Sequence, residues 1–188
     1  MKRVLMTVGL VLLTGCGYNR IQTLDEQVNA FQSQIEVQLQ RRADLVPNLV
    51  ETVRGFAQQE QQVFGAVAEA RARLGGAVQS HNLGQMAEAN GALTGALSRL
   101  LAIAEAYPEL KSNENFRALQ DQLEGTENRI ATARQDYNTA VQQYNAYIRR
   151  FPVVVTAKVI GKGARSYFET TSPEAREAPR VNFTQPGR

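Results

Sequence analysis

The sequence predicts an all-α protein, an antiparallel four-helix bundle of long amphipathic helices. Between residues 21 and 150, apolar side chains recur at steps of three and four, which is the spacing of a helix with one buried face. Glycine, proline or polar clusters interrupt this spacing at three places and divide it into four segments. Of the 188 residues, 43% are apolar, enough for the core of one domain and too few for several membrane spans.

The first predicted helix ends near Ala43. Its apolar face consists of Ile21, Leu24, Val28, Phe31, Ile35 and Leu39. Arg41 and Arg42 follow, and positive charge suits a helix C-terminus. Asp44 can cap a second helix that carries Pro47 in its first turn. The alternative is one long helix that is kinked at Pro47.

The second and third predicted helices are separated by a polar loop. The second has an apolar face of Leu45, Leu49, Val53, Phe56, Val63 and Val67. It is expected to end at Gly75-Gly76, before a polar stretch over residues 77–83. The third has an apolar face of Met86, Leu93, Leu97, Leu100 and Ala104. It is expected to stop before Tyr107-Pro108, because the residue before a proline is pushed out of α geometry.

The fourth predicted helix begins near Asn113 and ends near Arg149. Its apolar face is Phe116, Leu119, Leu123, Ile130, Tyr137, Val141, Tyr144 and Ile148. Glu127 and Arg134 also fall at helical steps, at the edge of this face. Beyond it, the β-branched residues 153–159 favour extended backbone, so residues 151–171 are predicted to form an extended strap packed on the bundle. Residues 172–188 are predicted to be a flexible tail.

The N-terminus has the pattern of an export signal. Lys2 and Arg3 precede an apolar run at residues 4–13, which is too short for a membrane-spanning helix and of the length of a signal segment. Residues 1–15 are therefore predicted to be a signal or hydrophobic N-terminal segment. The basic pair predicts a cytoplasmic start, which places the bundle on the non-cytoplasmic side.

Cys16 is the candidate lipid anchor. The order Leu13-Thr14-Gly15-Cys16 resembles the lipobox of bacterial lipoproteins, in which the cysteine is acylated and becomes the new N-terminus. Residues 16–20 are then a tether. The alternative is an uncleaved signal anchor. Gly17 in place of aspartate favours the outer membrane, so the expected location is the cell membrane or outer membrane of a bacterium.

The inventory of side chains argues against most chemistry. One cysteine and one histidine, His81, cannot supply the usual ligands of zinc, haem or iron–sulfur groups, so no metal and no cofactor are expected. No phosphate-binding loop or nucleophile triad is present, and an enzyme is not expected. Residues 16–148 carry 11 basic and 15 acidic side chains, which does not predict nucleic-acid binding.

Two clusters are candidate binding features. Arg41, Arg42, Asp44, Pro47 and Asn48 concentrate charge at the predicted corner between the first two helices. These residues either serve helix ends and local ion pairs, or form a corner that docks a partner or a phosphate, since arginine grips carboxylates and phosphates.

The second cluster is an aromatic–amide face. Tyr137-Asn138 and Tyr144-Asn145 are seven residues apart and return to one side of the fourth helix. They either form a polar-edged core seam that fixes helix register, or an exposed patch that binds a ligand or glycan.

The run over residues 37–50, VQLQRRADLVPNLV, is long and unusual. It resembles the hallmark segment of the LemA family. Further matches are Tyr18-Asn19, Ala70-Arg71, Tyr107-Pro108-Glu109-Leu110-Lys111, Phe116, Leu119-Gln120, Leu123, Glu127, Ile130, Ala133-Arg134, Tyr137-Asn138, Val141, Tyr144-Asn145 and Phe168-Glu169. The resemblance implies a membrane-attached N-terminus, an antiparallel bundle of long helices and no known enzymatic activity. The chain departs from the family in its short apolar run and at Gln59-Glu60, where a histidine is expected before the glutamate.

Two functions follow as hypotheses. The first is a membrane-anchored, non-enzymatic scaffold or protein-interaction module, with membrane lipid at its N-terminus and an envelope protein as partner. The alternative is a small-ligand or cell-wall-binding lipoprotein with a groove near Tyr137 and Tyr144. The apolar faces are compatible with any oligomeric state.

Overall fold

The protein is all-helical, as the sequence predicts. The computed structural model describes residues 17–169. Its helices are α1 (Tyr18–Arg54), α2 (Gln61–Gln79), α3 (Leu83–Ala106), α4 (Pro108–Ser112), α5 (Glu114–Ile148) and α6 (Val153–Val159). Cys16, the hydrophobic segment before it and the tail at 172–188 lie outside the described residues, so the predictions made for them stay predictions.

Helix α1 is continuous for 37 residues, so the predicted break at Ala43 is wrong. The alternative is right in that one helix continues through this region. Pro47 lies inside it. The apolar face keeps its period beyond the arginines, because Ala43, Val46, Leu49 and Val53 are all buried. Burial of this continued face offsets the hydrogen bond that a proline removes from a helix interior.

Helix α2 passes through Gly75-Gly76, so the predicted end there is also wrong. Leu74 and Ala77 on either side are buried and hold this turn against the core. The turn between α2 and α3 is reduced to residues 80–82. There the Asn82 side chain caps α3 by accepting a hydrogen bond from the Gln85 amide at 3.0 Å.

The predicted ends of the third and fourth helices agree with the structure to within a residue or two. Helix α3 ends at Ala106, before Tyr107-Pro108. Pro108 then begins the short helix α4, which the sequence did not indicate. Asn113 caps α5, because its side-chain oxygen accepts a hydrogen bond from the Phe116 amide at 3.0 Å.

The C-terminal segment differs from an extended strap over its first half. Residues 153–159 form helix α6, whose buried side chains Val153, Thr156 and Ala157 follow a helical spacing. One buried helical face thus overrides the preference of β-branched residues for extended backbone. The chain turns at Gly161, where φ is +69°, and only residues 162–169 run without helix or strand. At the other end, α1 already begins at Tyr18, inside the predicted tether.

The long helices pack in antiparallel pairs. Helices α1 and α5 lie side by side, since Arg42 meets Glu127 while Arg20, near the start of α1, shares a cavity with Tyr147. Helices α2 and α3 form an antiparallel hairpin, and α2 packs back against α1. The buried side chains from all these helices join in one hydrophobic cluster. Within residues 17–169, none of the helices has both the length and the apolar character needed to cross a bilayer.

Candidate functional site

The first polar cluster is centred on Arg42, which the fold buries. The residue is 5% exposed in the middle of α1. Its Nη1 donates a hydrogen bond to Asn90 Oδ1 on α3 at 2.6 Å and lies 2.5 Å from Glu127 Oε2 on α5. One guanidinium therefore ties three helices together. The half-exposed Glu127 carboxylate connects the cluster to solvent.

The charge of Arg42 is maintained in this setting. Burial lowers the pKa of its guanidinium, and the Glu127 carboxylate opposes that shift by favouring the charged form. A guanidinium holds its proton far above neutral pH, so the side chain stays charged despite this shift. The cluster is an ion pair between a buried guanidinium and a half-exposed carboxylate, with Asn90 as a second acceptor.

A second tie depends on Pro47. Because proline has no amide hydrogen, the Ala43 carbonyl loses the donor that a helix normally supplies four residues later. Arg71 on α2 supplies the replacement, with its Nε donating to the Ala43 oxygen at 2.9 Å. Ala43 is only 3% exposed, so this carbonyl has little access to water. The proline thus opens an acceptor on α1 that α2 uses to dock.

The predicted corner between two helices does not exist. Arg41, Asp44, Pro47 and Asn48 are exposed along the middle of α1, and only Arg42 is buried. Asp44 does not cap a helix; it accepts a hydrogen bond from Gln40 within α1 at 2.8 Å. Positions 41, 44 and 48 follow at steps of three and four and share one exposed face. Docking of a partner on that face stays a prediction.

The aromatic–amide face is covered by the chain itself. Tyr137 and Tyr144 are each 1% exposed, which is the burial expected of a core seam and not of an open patch. The Tyr137 hydroxyl donates to the Ser166 carbonyl at 2.9 Å, and the Tyr144 hydroxyl donates to the Gly163 carbonyl at 3.2 Å. Burial raises the pKa of both phenols, which keeps them protonated as donors.

The two asparagines bind the same segment by its backbone. Asn145 donates from Nδ2 to the Arg165 carbonyl at 2.9 Å and accepts from the Arg165 amide at 2.8 Å. Asn138 makes the same pair of bonds with Phe168, at 3.1 and 2.8 Å. Each amide side chain satisfies one residue's donor and acceptor, as a neighbouring β-strand would. We call residues 162–168, held in this way, the C-terminal clasp segment.

Charge fixes the start of the clasp segment. Asp25, buried on α1, accepts from Lys162 Nζ at 2.6 Å and from Arg165 Nη2 at 2.8 Å. Burial alone raises the pKa of the Asp25 carboxyl, but the hydrogen bonds and charges of Lys162 and Arg165 outweigh it and hold the pKa below its usual 3.8. At the other end, Phe168 is buried and its ring lies 4.9 Å from the Arg134 guanidinium.

Several of these residues were not identified from the sequence. Asp25 lies next to Leu24 on the apolar face of α1. An acid at a core position was the signal that could have identified it as a buried, paired residue. Nothing in the sequence indicated that the partners of Asp25 lie 137 and 140 residues away.

A third feature is a groove on the outer side of the α2–α3 hairpin. Two adjoining open cavities of about 310 Å³ each follow the line where the helices meet, and they share Arg73 and Ala92. Their walls are made mostly of alanine and glycine: Ala66, Ala70, Gly76 and Ala77 from α2 with Ala89, Ala92, Gly95 and Ala96 from α3. In the part of the chain that the structure describes, no three His, Cys, Asp or Glu side chains lie close enough together to hold a metal ion.

These features define a class of protein: two long antiparallel helices that hold an extended C-terminal segment by tyrosine and asparagine, with a helical hairpin packed at one end. Comparison with known proteins gives the family. The model of the LemA family matches residues 31–183, and the chain belongs to that family, which confirms the resemblance seen in the sequence.

Named relatives are similar over most of the chain. It is 30% identical to magnetosome proteins MamQ 1 and MamQ 2 of Paramagnetospirillum magneticum over 189 residues, which covers 88% of this chain and 70% of each relative. It is 28% identical to magnetosome protein MamQ of Magnetospirillum gryphiswaldense over 188 residues, 88% of this chain and 69% of that protein.

Proposed function

We propose that this LemA family protein is a membrane-anchored, non-enzymatic interaction module of a bacterial envelope. The apolar run at residues 4–13 and Cys16 hold it to the membrane, and the folded part lies on the non-cytoplasmic side. Its long helices form an antiparallel four-helix bundle. The antiparallel pairs α1–α5, α2–α3 and α1–α2 support that arrangement.

Glycines inside helices are the observation that carries the proposal. Gly65, Gly75 and Gly76 on α2, and Gly91 and Gly95 on α3, would each accept a Cβ without any atom within 4 Å. A glycine in a helix interior costs about 0.5–1 kcal/mol relative to alanine. Packing among the residues that the structure describes does not require these glycines. Their cost in stability therefore needs another explanation.

Close approach of a partner is the reason that we propose. Gly76 and Gly95 lie in the groove among alanines, where a missing side chain lets a second helix come nearer. The exposed Arg73 and Arg99 at the groove give the partner polar contacts at its rim. The partner is therefore a helix of another envelope protein with a face of small or apolar side chains.

The alternative ligand-binding function needs a different arrangement of the chain. A groove near Tyr137 and Tyr144 becomes accessible only if the clasp segment leaves that face, because six hydrogen bonds between its backbone and α5 side chains now hold it there. The open groove between α2 and α3 requires no such change. The interaction module is thus the function that the geometry favours.

Site-specific photocrosslinking in living cells tests the proposal. A photoreactive amino acid is placed at Ala92, which is exposed in the groove, and at Gln122, which is exposed on α5 as a control. We expect an adduct with another envelope protein from position 92 and none from position 122. Equal adducts from both positions, or none from either, contradict the proposal. An adduct of the chain with itself makes the groove a self-association surface instead.

Matched glycine variants sharpen the test. Gly95→Ala adds a methyl group inside the groove, whereas Gly91→Ala adds one on the same helix outside it. Both gain helix propensity, about 0.5–1 kcal/mol each. We expect only Gly95→Ala to reduce the adduct from Ala92. A similar loss from both variants means that the groove is not where the partner lies.

A further inference from the structure

The end of the molecule that follows α5 exposes a row of large apolar side chains. Phe151 is 82% exposed, Val155 46% and Val159 71%. The two valines are four residues apart on α6 and lie on one face, and Phe151 precedes them by another four. The opposite face of α6, with Val153 and Ala157, is buried in the core. Among residues 17–169, the row therefore takes no part in packing the core.

The same end is positively charged. Residues 137–167 contain five basic side chains and no acidic one. Arg149, Arg150 and Lys158 are exposed beside the apolar row. The other two, Lys162 and Arg165, pair with Asp25. Exposed cations next to exposed apolar side chains are the combination that the headgroup region of an anionic membrane accommodates.

The N-terminal chain enters the structure at this end. A Cβ built on Gly17 would lie 2.9 Å from Val153 Cγ2 and 3.0 Å from the Tyr147 hydroxyl, so Gly17 lies directly against α6. Its φ of +89° suits glycine at this close approach. Residues 1–16, with the apolar run and Cys16, therefore connect next to the exposed row. An anchor in those residues brings α6 to within a few residues' length of the membrane.

We infer that Phe151, Val155 and Val159, with Arg149, Arg150 and Lys158, form a basal surface that lies in the headgroup layer of an anionic membrane. This inference rests on the proposed membrane anchor and adds a second, folded contact with lipid. The apolar row enters the boundary of the acyl chains and the cations meet lipid phosphates. Because α1 begins and α5 ends at this surface, the contact sets the long helices at a fixed angle to the membrane.

The experiment measures depth in the bilayer, so that the anchor does not mask the basal surface. The full chain carries a polarity-sensitive fluorescent amino acid in place of Val159, or in place of Gln58 as a control. Gln58 is exposed beyond the other end of α1, about 55 Å away along a helix of 37 residues. The protein is reconstituted into vesicles of phosphatidylethanolamine mixed with phosphatidylglycerol, whose acyl chains carry spin-label quenchers.

We expect emission from position 159 to shift to the blue and to be quenched at least about threefold more than emission from position 58. The triple variant Arg149→Glu, Arg150→Glu and Lys158→Glu should lower that quenching by about half or more. Vesicles of phosphatidylcholine alone should lower it similarly.

Flotation of the vesicles reports the anchor separately. In one outcome, the protein floats with the vesicles while position 159 is quenched no more than position 58. That result overturns the proposed lipid contact of the basal surface and leaves the proposed anchor intact. That result favours an acidic protein as the occupant of this surface. Protein that fails to float overturns the proposed anchor itself. Quenching that is unchanged by the triple variant and by neutral lipid overturns the requirement for an anionic membrane.

Discussion

The hydrogen bond between Arg71 and the Ala43 carbonyl gives the sharpest test of the fold. We expect this carbonyl to be free to accept it because Pro47 has no amide hydrogen. Arg71→Ala leaves a carbonyl on a residue that is 3% exposed without its donor. An unsatisfied buried acceptor costs about 1–3 kcal/mol, and we expect this variant to be destabilised by that amount. The measurement is urea unfolding of the full chain in detergent, followed by far-UV circular dichroism.

Pro47→Ala restores an amide hydrogen at position 47, which can donate to the Ala43 carbonyl. In that background, Arg71→Ala should therefore cost less by at least about 1 kcal/mol, which is the coupling free energy of the pair. The control cycle combines Pro47→Ala with Arg73→Ala. Because Arg73 pairs with Glu69 on its own helix, the two changes in unfolding free energy should be additive. Additivity of Pro47 and Arg71 within about 0.5 kcal/mol refutes the reasoning, since it means that the proline does not create the acceptor.

Three further variants probe the polar clusters. Asn145→Ala removes two hydrogen bonds to the clasp segment. It should lower the free energy of unfolding by about 1–3 kcal/mol and speed hydrogen exchange of the clasp amides. Asn128 is exposed on the same helix, and Asn128→Ala should do neither. Glu127→Ala leaves the Arg42 charge buried with only an amide acceptor. In urea unfolding it should therefore lower the free energy of unfolding more than Arg42→Met, which removes the charge. Asp25→Asn should destabilise the chain at neutral pH. Because folding lowers the pKa of Asp25 below 3.8, the carboxylate stabilises the fold above that pH, and this contribution is lost as the pH falls through the folded pKa. Thermal melts in which the variant loses the same stability at every pH would contradict this.

The sequence predicts helix α5 well and the break in α1 badly, for one physical reason. The signals of α5 are local: Asn113 caps it, and its apolar face is uninterrupted. The cost of Pro47 is local too, but its compensation comes from Arg71, 28 residues away in sequence. Helix α6 shows the same limit, since its β-branched residues favour extended backbone until burial of Val153 is taken into account.

The binding of the clasp segment could have been inferred from the spacing of the asparagines and tyrosines on α5. Asn138 and Asn145 are seven residues apart, a rise of about 10.5 Å along a helix. Their partners Arg165 and Phe168 are three residues apart, and extended backbone covers about 10–11 Å in three residues.

The tyrosines obey the same rule. Tyr137 and Tyr144 differ by seven, and the carbonyls that they bind, at Ser166 and Gly163, differ by three. A repeat of seven on α5 thus matches a repeat of three on an antiparallel extended chain, and both pairs keep the same register. A shift of the segment by one residue would break all of these bonds together. The aromatic–amide face therefore selects one position of the C-terminal segment. That position keeps α6 at the end of the molecule where Gly17 enters.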